Sequence, residues 1–106
     1  MENLRILLCC GAGMSSGFLA SNARKAAKKN KIAASIEARS FSEANEYMGS
    51  IDVLLLGPHY ATELENFQKK GEGYGVAVAV IPKEIYGALD GAALLDLAVK
   101  TKEAQK

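Results

Sequence analysis

The sequence predicts a three-layer α/β domain in which helices cover both faces of a four-stranded parallel sheet with strand order 2-1-3-4. Short apolar segments alternate along the chain with amphipathic ones, and such alternation produces right-handed βαβ units and a parallel sheet. With 106 residues, the chain is long enough for one hydrophobic core. We therefore expect residues 1–106 to form a single domain.

Four segments have the length and composition of strands: residues 4–9, 32–38, 51–56 and 75–81. The first, third and fourth are almost entirely apolar, as is typical of parallel strands that are covered on both faces. The second segment is more polar than the other three. We therefore place the second strand at an edge of the sheet.

Helices are predicted in the segments between and after the strands. The first begins at about Phe18, and the second begins at the capping-box spacing that starts at Ser40. The third begins at about Tyr60 and ends with Gly71 as its C′ residue, while Asp90 is a candidate N-cap for the last. Each predicted helix has an apolar face that can pack on the sheet.

The segment that turns from the first strand into the first helix carries the chemical signal. Cys10 opens it, and a thiol near a helix N-terminus has its pKa lowered by the helix dipole and by unpaired N–H groups. In the order 2-1-3-4, which is flavodoxin-like, the end of strand 1 lies at the topological switch point, where such sheets bind ligands. We expect Cys10 to be a catalytic nucleophile that carries a phosphoryl group. The oxygens of that group are expected to be held by a phosphate-binding loop of Gly11, Ala12, Gly13, Met14, Ser15, Ser16 and Gly17.

Two further residues near this edge are assigned from their positions in the sequence. Cys9 ends the first predicted strand, so it should point into the core and act through packing. His59, the sole histidine, follows the third strand and so reaches the same edge of the sheet. It could donate to a phosphate at the rim of the site or be a solvated residue at the start of a helix, and both interpretations stay open.

Composition excludes several classes of function. The net charge of +1 gives no electrostatic basis for binding nucleic acid. No apolar run approaches the roughly 20 residues that span a bilayer, and the first strand follows Met1 with no signal peptide, so we expect a cytoplasmic protein without direct membrane insertion. One histidine and two adjacent cysteines supply no metal-ligand spacing. No metal, nucleotide or diffusible cofactor is expected.

Low-molecular-weight tyrosine phosphatases and arsenate reductases also begin a phosphate loop with cysteine after strand 1. Their pattern C-x5-R adds an arginine that clamps the phosphoryl oxygens, and a later aspartate protonates the leaving group. Here Ser16 occupies the arginine position, and the segment 82–84 after the fourth strand has no aspartate. These residues favour transfer of a phosphoryl group over its hydrolysis. A phosphatase-like or arsenate-reductase-like thiol enzyme is one alternative, and a non-catalytic α/β interaction module is the other.

Three segments resemble the IIB component of the sugar phosphotransferase system, lactose/cellobiose (chitobiose) type: ILLCCGAGMSS at 6–16, DVLLLGP at 52–58, and YG with DG at 86–87 and 90–91. The resemblance implies a phosphotransferase in which Cys10 becomes a phosphocysteine. It takes the phosphoryl group from a phosphohistidine of a IIA component and gives it to a sugar, such as cellobiose, lactose or chitobiose, held by the membrane IIC component. Gly11 and Cys9 depart mildly from the family pattern.

Overall fold

The computed structural model describes the backbone of residues 4–10 and 14–104, and their side chains except those of residues 10, 14–16 and 41. Four parallel strands form one sheet in the order β2-β1-β3-β4. The strands are β1 (Leu4–Cys10), β2 (Ala34–Ser40), β3 (Val53–Leu56) and β4 (Ala77–Val80). The predicted fold class, strand order and edge position of the second strand are confirmed.

Helices within the described residues cover both faces of this sheet. The α-helices are α1 (Met14–Lys29), α2 (Ala44–Tyr47), α3 (Leu64–Tyr74), α4 (Lys83–Ala88) and α5 (Gly91–Ala104). Short 3-10 turns at Phe41–Glu43 and Met48–Ser50 flank α2, and a longer one at Pro58–Glu63 precedes α3. None of the helices in the described ranges is long and apolar enough to cross a membrane.

The core consists of two apolar layers, one on each face of the sheet. One layer packs α1 and α5 on the sheet through Leu19, Ala23, Ala27, Leu94, Leu95 and Ala98, as the helical pattern predicted. The other layer packs α2 and α3 on the opposite face through Ala44, Met48 and Phe67. Cys9 is fully buried in this second layer, as expected of a residue with a packing role.

The second strand begins two residues later than predicted. Lys31 adopts a left-handed conformation (φ 57°), and the N–H of Ile32 donates to the carbonyl of Ala27 at 2.8 Å. Residues 30–33 therefore complete the C-terminal turn of α1, and regular pairing starts where Leu4 of β1 meets Ala34. The third and fourth strands are shorter than predicted, whereas the second keeps its predicted length of seven residues.

The prediction that the first helix begins at about Phe18 is wrong, because α1 begins at Met14. Gly17 was assigned to a loop, but glycine in a first helical turn costs only about 1 kcal/mol. Burial of Leu19, Ala20 and Ala23 against the sheet outweighs that cost. Four residues assigned to the loop therefore belong to the helix.

The predicted end of the third helix is also wrong. Gly71 lies inside α3, where a Cβ atom would come within 2.6 Å of the carbonyl oxygen of Val76. The left-handed cap is instead Gly75 (φ 72°). Gly71 is thus required for the close approach of the chain entering β4, and not for a turn.

The segment after β4 contains a helix that the sequence pattern did not predict. α4 is short, and its C-cap Leu89 is left-handed (φ 52°), an uncommon conformation for a branched residue. Asp90 then caps α5 as predicted, since its Oδ1 accepts the N–H of Ala93 at 3.0 Å. Tyr86 lies in α4.

The amino edge of the sheet is held by an ion pair between β1 and the segment before β3. Arg5 donates its backbone N–H (2.9 Å) and its Nε (3.2 Å) to Oδ2 of Asp52, and its Nη2 to Oδ1 (3.2 Å). Burial alone would raise the pKa of Asp52, but the hydrogen bonds from Arg5 outweigh burial and hold that pKa below its ordinary value. On the same edge, Lys102 of α5 donates to the carbonyl of Gly75 at 2.7 Å.

Candidate functional site

The candidate site lies at the carboxyl edge of the sheet, where β1 ends at Cys10. This strand is central, and its last residues pair with β2 on one side and β3 on the other: Cys10 with Ser40, and Cys9 with Leu56. The N–H of Gly57 donates to the carbonyl of Cys9 at 2.9 Å. Since parallel strands lie about 4.8 Å apart, the segment after β3 begins beside Cys10.

The predicted phosphate-binding loop falls into two parts. Gly11, Ala12 and Gly13 lie outside the described residues. Met14, Ser15, Ser16 and Gly17 form the first turn of α1. The first N–H groups of a helix have no intrahelical acceptor, so this turn retains the donors for which the loop was proposed. Three residues separate Cys10 from these donors.

α1 is fixed against the junction of α4 and α5. The side-chain amide of Asn22 donates to the carbonyl of Leu89 at 2.8 Å. Gly91, the first residue of α5, packs so closely that a Cβ atom there would overlap the backbone of Asn22 and Ala23. The position of the N-terminal turn of α1 therefore depends on a contact about two helical turns away from it.

His59 lies at the carboxyl edge in the 3-10 turn that follows β3, and its side chain is exposed. Its ring packs edge-to-face against Tyr86 of α4, with 5.9 Å between centroids and an interplanar angle of 82°. The two rings border a shallow depression of about 480 Å³ that is lined by Pro58, His59, Lys83, Tyr86 and Gly87. Both interpretations of His59 remain compatible with this position.

The contact of Tyr86 with His59 at this edge was not predicted from the sequence. Tyr86 follows β4 by six residues, and β4 lies beside β3, so the strand order alone brings the segment after β4 near that of His59. That proximity was the available signal. The short helix that aims Tyr86 at His59 was not predicted from the sequence.

The opposite flank of Cys10, at the end of β2, is occupied by a polar network. Oε2 of Glu43 accepts the backbone N–H of Ser40 at 3.2 Å and its hydroxyl at 3.1 Å, and the hydroxyls of Ser40 and Ser42 lie 3.0 Å apart. The carboxylate half of the predicted capping box is thus present. Nearby, Arg39 donates to the hydroxyl of Tyr47 at 3.0 Å. The polar groups of this flank are largely satisfied within the chain.

The fold and the position of Cys10 define a flavodoxin-like domain with a cysteine at the ligand-binding switch point of its sheet. Residues 5–97 match the family described as "PTS system, Lactose/Cellobiose specific IIB subunit". The chain therefore belongs to the lactose/cellobiose-type IIB family of the sugar phosphotransferase system, and the resemblance read from the sequence is confirmed. Members of this family are phosphotransferase components that function with IIA and IIC partners.

Individual relatives are similar over most of the chain. The galactose-specific EIIB component of Lactococcus lactis subsp. cremoris is 37% identical over 86% of this chain and 89% of its own length. The oligo-beta-mannoside-specific EIIB component of Bacillus subtilis is 33% identical over 82% and 84%. The solution structure of a cellobiose-specific IIB component from Borrelia burgdorferi is 30% identical, with a TM-score of 0.79 over 99% of this chain and 96% of that one.

Proposed function

We propose that this chain is a cytoplasmic phosphoryl carrier of a sugar phosphotransferase system, with Cys10 as its phosphocysteine. The observation that carries the proposal is the position of Cys10 in a chain of this family. It is the last residue of the central strand, followed after three residues by the N-terminal turn of α1. Residues 1–106 act as one domain in this proposal.

In the first transfer, the Cys10 thiolate attacks the phosphorus of a phosphohistidine on the IIA component. The S–P bond forms as the P–N bond breaks in line, and the electron pair of that bond stays on the imidazole nitrogen. Backbone N–H groups of residues 11–17 hold the three equatorial oxygens of the phosphoryl group. The thiolate is favoured by the positive end of the α1 dipole.

In the second transfer, a hydroxyl oxygen of the sugar bound by the IIC component attacks the same phosphorus. The O–P bond forms, the S–P bond breaks, and the electron pair returns to sulfur as the thiolate. The hydroxyl proton leaves to a base outside this chain. The same cradle of N–H groups serves both steps, because the oxygens of the phosphoryl group have similar geometry in each.

The sugar in this proposal is a β-linked disaccharide such as cellobiose, lactose or chitobiose. The names of the relatives refer to galactose, oligo-β-mannosides and cellobiose, so chains of similar sequence serve different sugars. We therefore assign the choice of sugar largely to the membrane component.

Hydrolysis is disfavoured by the residue that stands at the arginine position of C-x5-R. Ser16 occupies that position in the first turn of α1, so the bidentate clamp of the phosphatases is missing there. The segment that follows β4 runs from Pro82 through Lys83 to Glu84 and has no aspartate to serve as acid. Transfer to a partner requires neither group in this chain, because the partner supplies the leaving group and the acceptor.

The test is incubation with a ³²P-labelled IIA phosphohistidine donor of a cellobiose-type system, followed by mass spectrometry of the labelled peptide. We expect Cys10→Ser to abolish acceptance, because a serine hydroxyl is a far weaker nucleophile than a thiolate at neutral pH. Cys9→Ser should retain most of it, because Cys9 is fully buried. Equal loss in both variants, with both still folded by circular dichroism, would contradict the assignment.

A further inference from the structure

We propose that the phosphohistidine donor docks on one flank of Cys10, on a surface formed by α1, α4 and the turn after β3, and not symmetrically around the cysteine. This inference rests on the proposed function. The surface, here named the Phe18–Tyr86 surface, consists of Phe18, Pro58, His59, Lys83, Tyr86 and Gly87.

Phe18 supplies the exposed apolar side chain of this surface. It is 61% exposed, although it lies only one turn from the start of α1. Residues four apart share a helix face, so Phe18 lies on the same face as Asn22, which contacts the carbonyl of Leu89 beyond α4. Arg24, which donates to the carbonyl of Ile36 in β2, lies on the other side of α1. Phe18 therefore belongs to the α4 flank.

The depression beside the rings of His59 and Tyr86 supplies the concave part of the surface. It lies at the carboxyl edge between the segments that follow β3 and β4, and at Gly87 no atom lies within 4 Å of the position of a Cβ atom. Exposed aromatic side chains and aromatic-lined depressions are both typical of protein interfaces. A partner side chain can enter here without displacing any side chain of this protein.

The opposite flank offers less to a partner. There the hydroxyls of Ser40 and Ser42, the carboxylate of Glu43 and the guanidinium of Arg39 are bonded to one another or to neighbouring groups. A partner that docked on this flank would have to replace hydrogen bonds already made within the chain, and such replacement gains little free energy. Docking on the Phe18–Tyr86 surface is therefore expected to gain more binding free energy than docking on the flank of Ser40.

The geometry of the transfer and the charge of the surface both favour the phosphorylated IIA donor as the partner that binds here. A donor must bring its imidazole nitrogen in line with the Cys10 sulfur, so it has to approach the carboxyl edge and cover residues beside Cys10. Among the described residues that line the depression, Lys83 is the one with a formal charge. Its ammonium group suits the negative charge of a phosphorylated partner, so the phosphorylated donor should bind better than the unphosphorylated one.

The first experiment compares two exposed aromatic residues in a donor-concentration series of transfer rates. Phe18 and Tyr74 are both 61% exposed, but Tyr74 ends α3, at the amino edge of the sheet. We expect Phe18→Ala to raise the KM for the phosphorylated IIA donor about tenfold, with little change in kcat, and Tyr74→Ala to leave both unchanged. Equal KM values in the two variants would overturn the proposal.

The second experiment places bulk on the surface. Gly87 and Gly73 are both exposed helix residues with no atom within 4 Å of a Cβ position, so the Cβ atom of an arginine meets no neighbour at either. We expect Gly87→Arg to raise the KM for the donor about tenfold, and Gly73→Arg and Ser42→Arg to have little effect. If Ser42→Arg impairs transfer as strongly as Gly87→Arg, docking is symmetric and the proposal is wrong.

These assays distinguish a failure of the proposed function from a failure of the proposed docking surface. Absence of phosphoryl transfer to the wild-type chain would overturn the proposed function itself. Transfer to the wild-type chain with unchanged kinetics in Phe18→Ala and Gly87→Arg would leave the proposed function standing and overturn only the docking surface. Circular dichroism and thermal unfolding of each variant separate either result from a loss of folding.

Discussion

The amino and carboxyl edges of the sheet differ in how their side chains interact. At the amino edge, Arg5 makes three hydrogen bonds to Asp52, and Lys102 ties α5 to the carbonyl of Gly75. At the carboxyl edge, Phe18 is exposed and the rings of His59 and Tyr86 border an open depression. The amino edge joins elements of the chain to one another, whereas the carboxyl edge leaves aromatic side chains exposed.

This difference follows from the topology of parallel α/β sheets. Strand-to-helix connections leave the carboxyl edge beside helix N-termini, where free N–H groups can bind a ligand. The connections at the amino edge return from helices to strands and can be closed by internal pairs. We therefore expect substitutions at the amino edge to change stability, and those at the carboxyl edge to change transfer.

Gly91→Ala is expected to have the largest effect on the unfolding free energy. It tests whether stability depends on the amino edge alone. A Cβ atom there would overlap the backbone of Asn22 and Ala23, so α1 and α5 have to move apart, at a cost of about 1–3 kcal/mol of unfolding free energy. Because Gly91 lies at the start of α5, near the junction with α4, this substitution should lower stability although it is far from the amino edge. Urea denaturation measures the change.

Gly87→Ala is the control for Gly91→Ala, since it adds the same methyl group in open space within a helix and should raise stability slightly, by about 0.4–1 kcal/mol. Equal unfolding free energies for Gly91→Ala and the wild-type chain would show that the α1–α5 contact can relax without cost.

Ser16→Arg should separate function from stability at the carboxyl edge. It creates the C-x5-R pattern, but a bulky guanidinium then competes with the groups that the partner brings to the cradle. We expect phosphoryl transfer to fall at least about tenfold while hydrolysis of an aryl phosphate stays negligible, because no aspartate acid follows β4. Substantial hydrolysis with transfer intact would contradict this expectation, because it would show that hydrolysis needs no aspartate after β4 and that the cradle accommodates an arginine. Ser50→Arg, at an exposed position before β3, is the matched control.

The smallest expected effect concerns the amino edge and its dependence on pH. The pKa of Asp52 is lowered in the folded chain, so its ionised form contributes stability above its ordinary value of 3.8, and this contribution is lost as pH falls through the lowered pKa. Because the pair with Arg5 is partly exposed, we expect Asp52→Asn to cost about 1 kcal/mol or less at pH 7. Phosphoryl transfer per folded molecule should be unchanged.

Urea denaturation of Asp52→Asn and wild type at pH 7 and below pH 4 checks the sign, since the difference between them should shrink in acid. Glu65→Gln removes a far more exposed i,i+4 partner of Lys69 and serves as control. A difference that grows as pH falls would contradict the assigned direction of the Asp52 pKa.

The strand order and both apolar layers could be predicted from local pattern, but helix boundaries could not. Apolar runs identify buried strands because each residue of such a strand contacts a helix layer. Helix ends depend on contacts between segments distant in sequence. The sequence predicts a helix end at Gly71. The structure instead needs a glycine there because the carbonyl oxygen of Val76 lies too close for a Cβ atom. The start of α1 was placed late for a similar reason, since burial outweighs the weak preference of Gly17 for loops.

The candidate site was predictable only in part. Cys10, at the end of an apolar strand and before a glycine- and serine-rich segment, could be proposed as the site residue from the sequence because a predicted strand and a predicted helix follow one another closely there. The roles of Cys10 and of its loop residues stay predictions. The contact between His59 and Tyr86 could not be predicted, because it joins segments after two different strands through the unpredicted helix α4.

The sequence by itself determined the order of the four strands, the family and the residue proposed to carry the phosphoryl group, because these follow from local pattern and from a contiguous motif. Only the tertiary structure decided which flank of that residue is open. Phe18 and Tyr74 are alike in exposure, and their difference in distance from the site arises from the packing of α1 against α4 and α5 through Asn22 and Gly91. Such packing joins residues nearly 70 positions apart, and no local pattern encodes it.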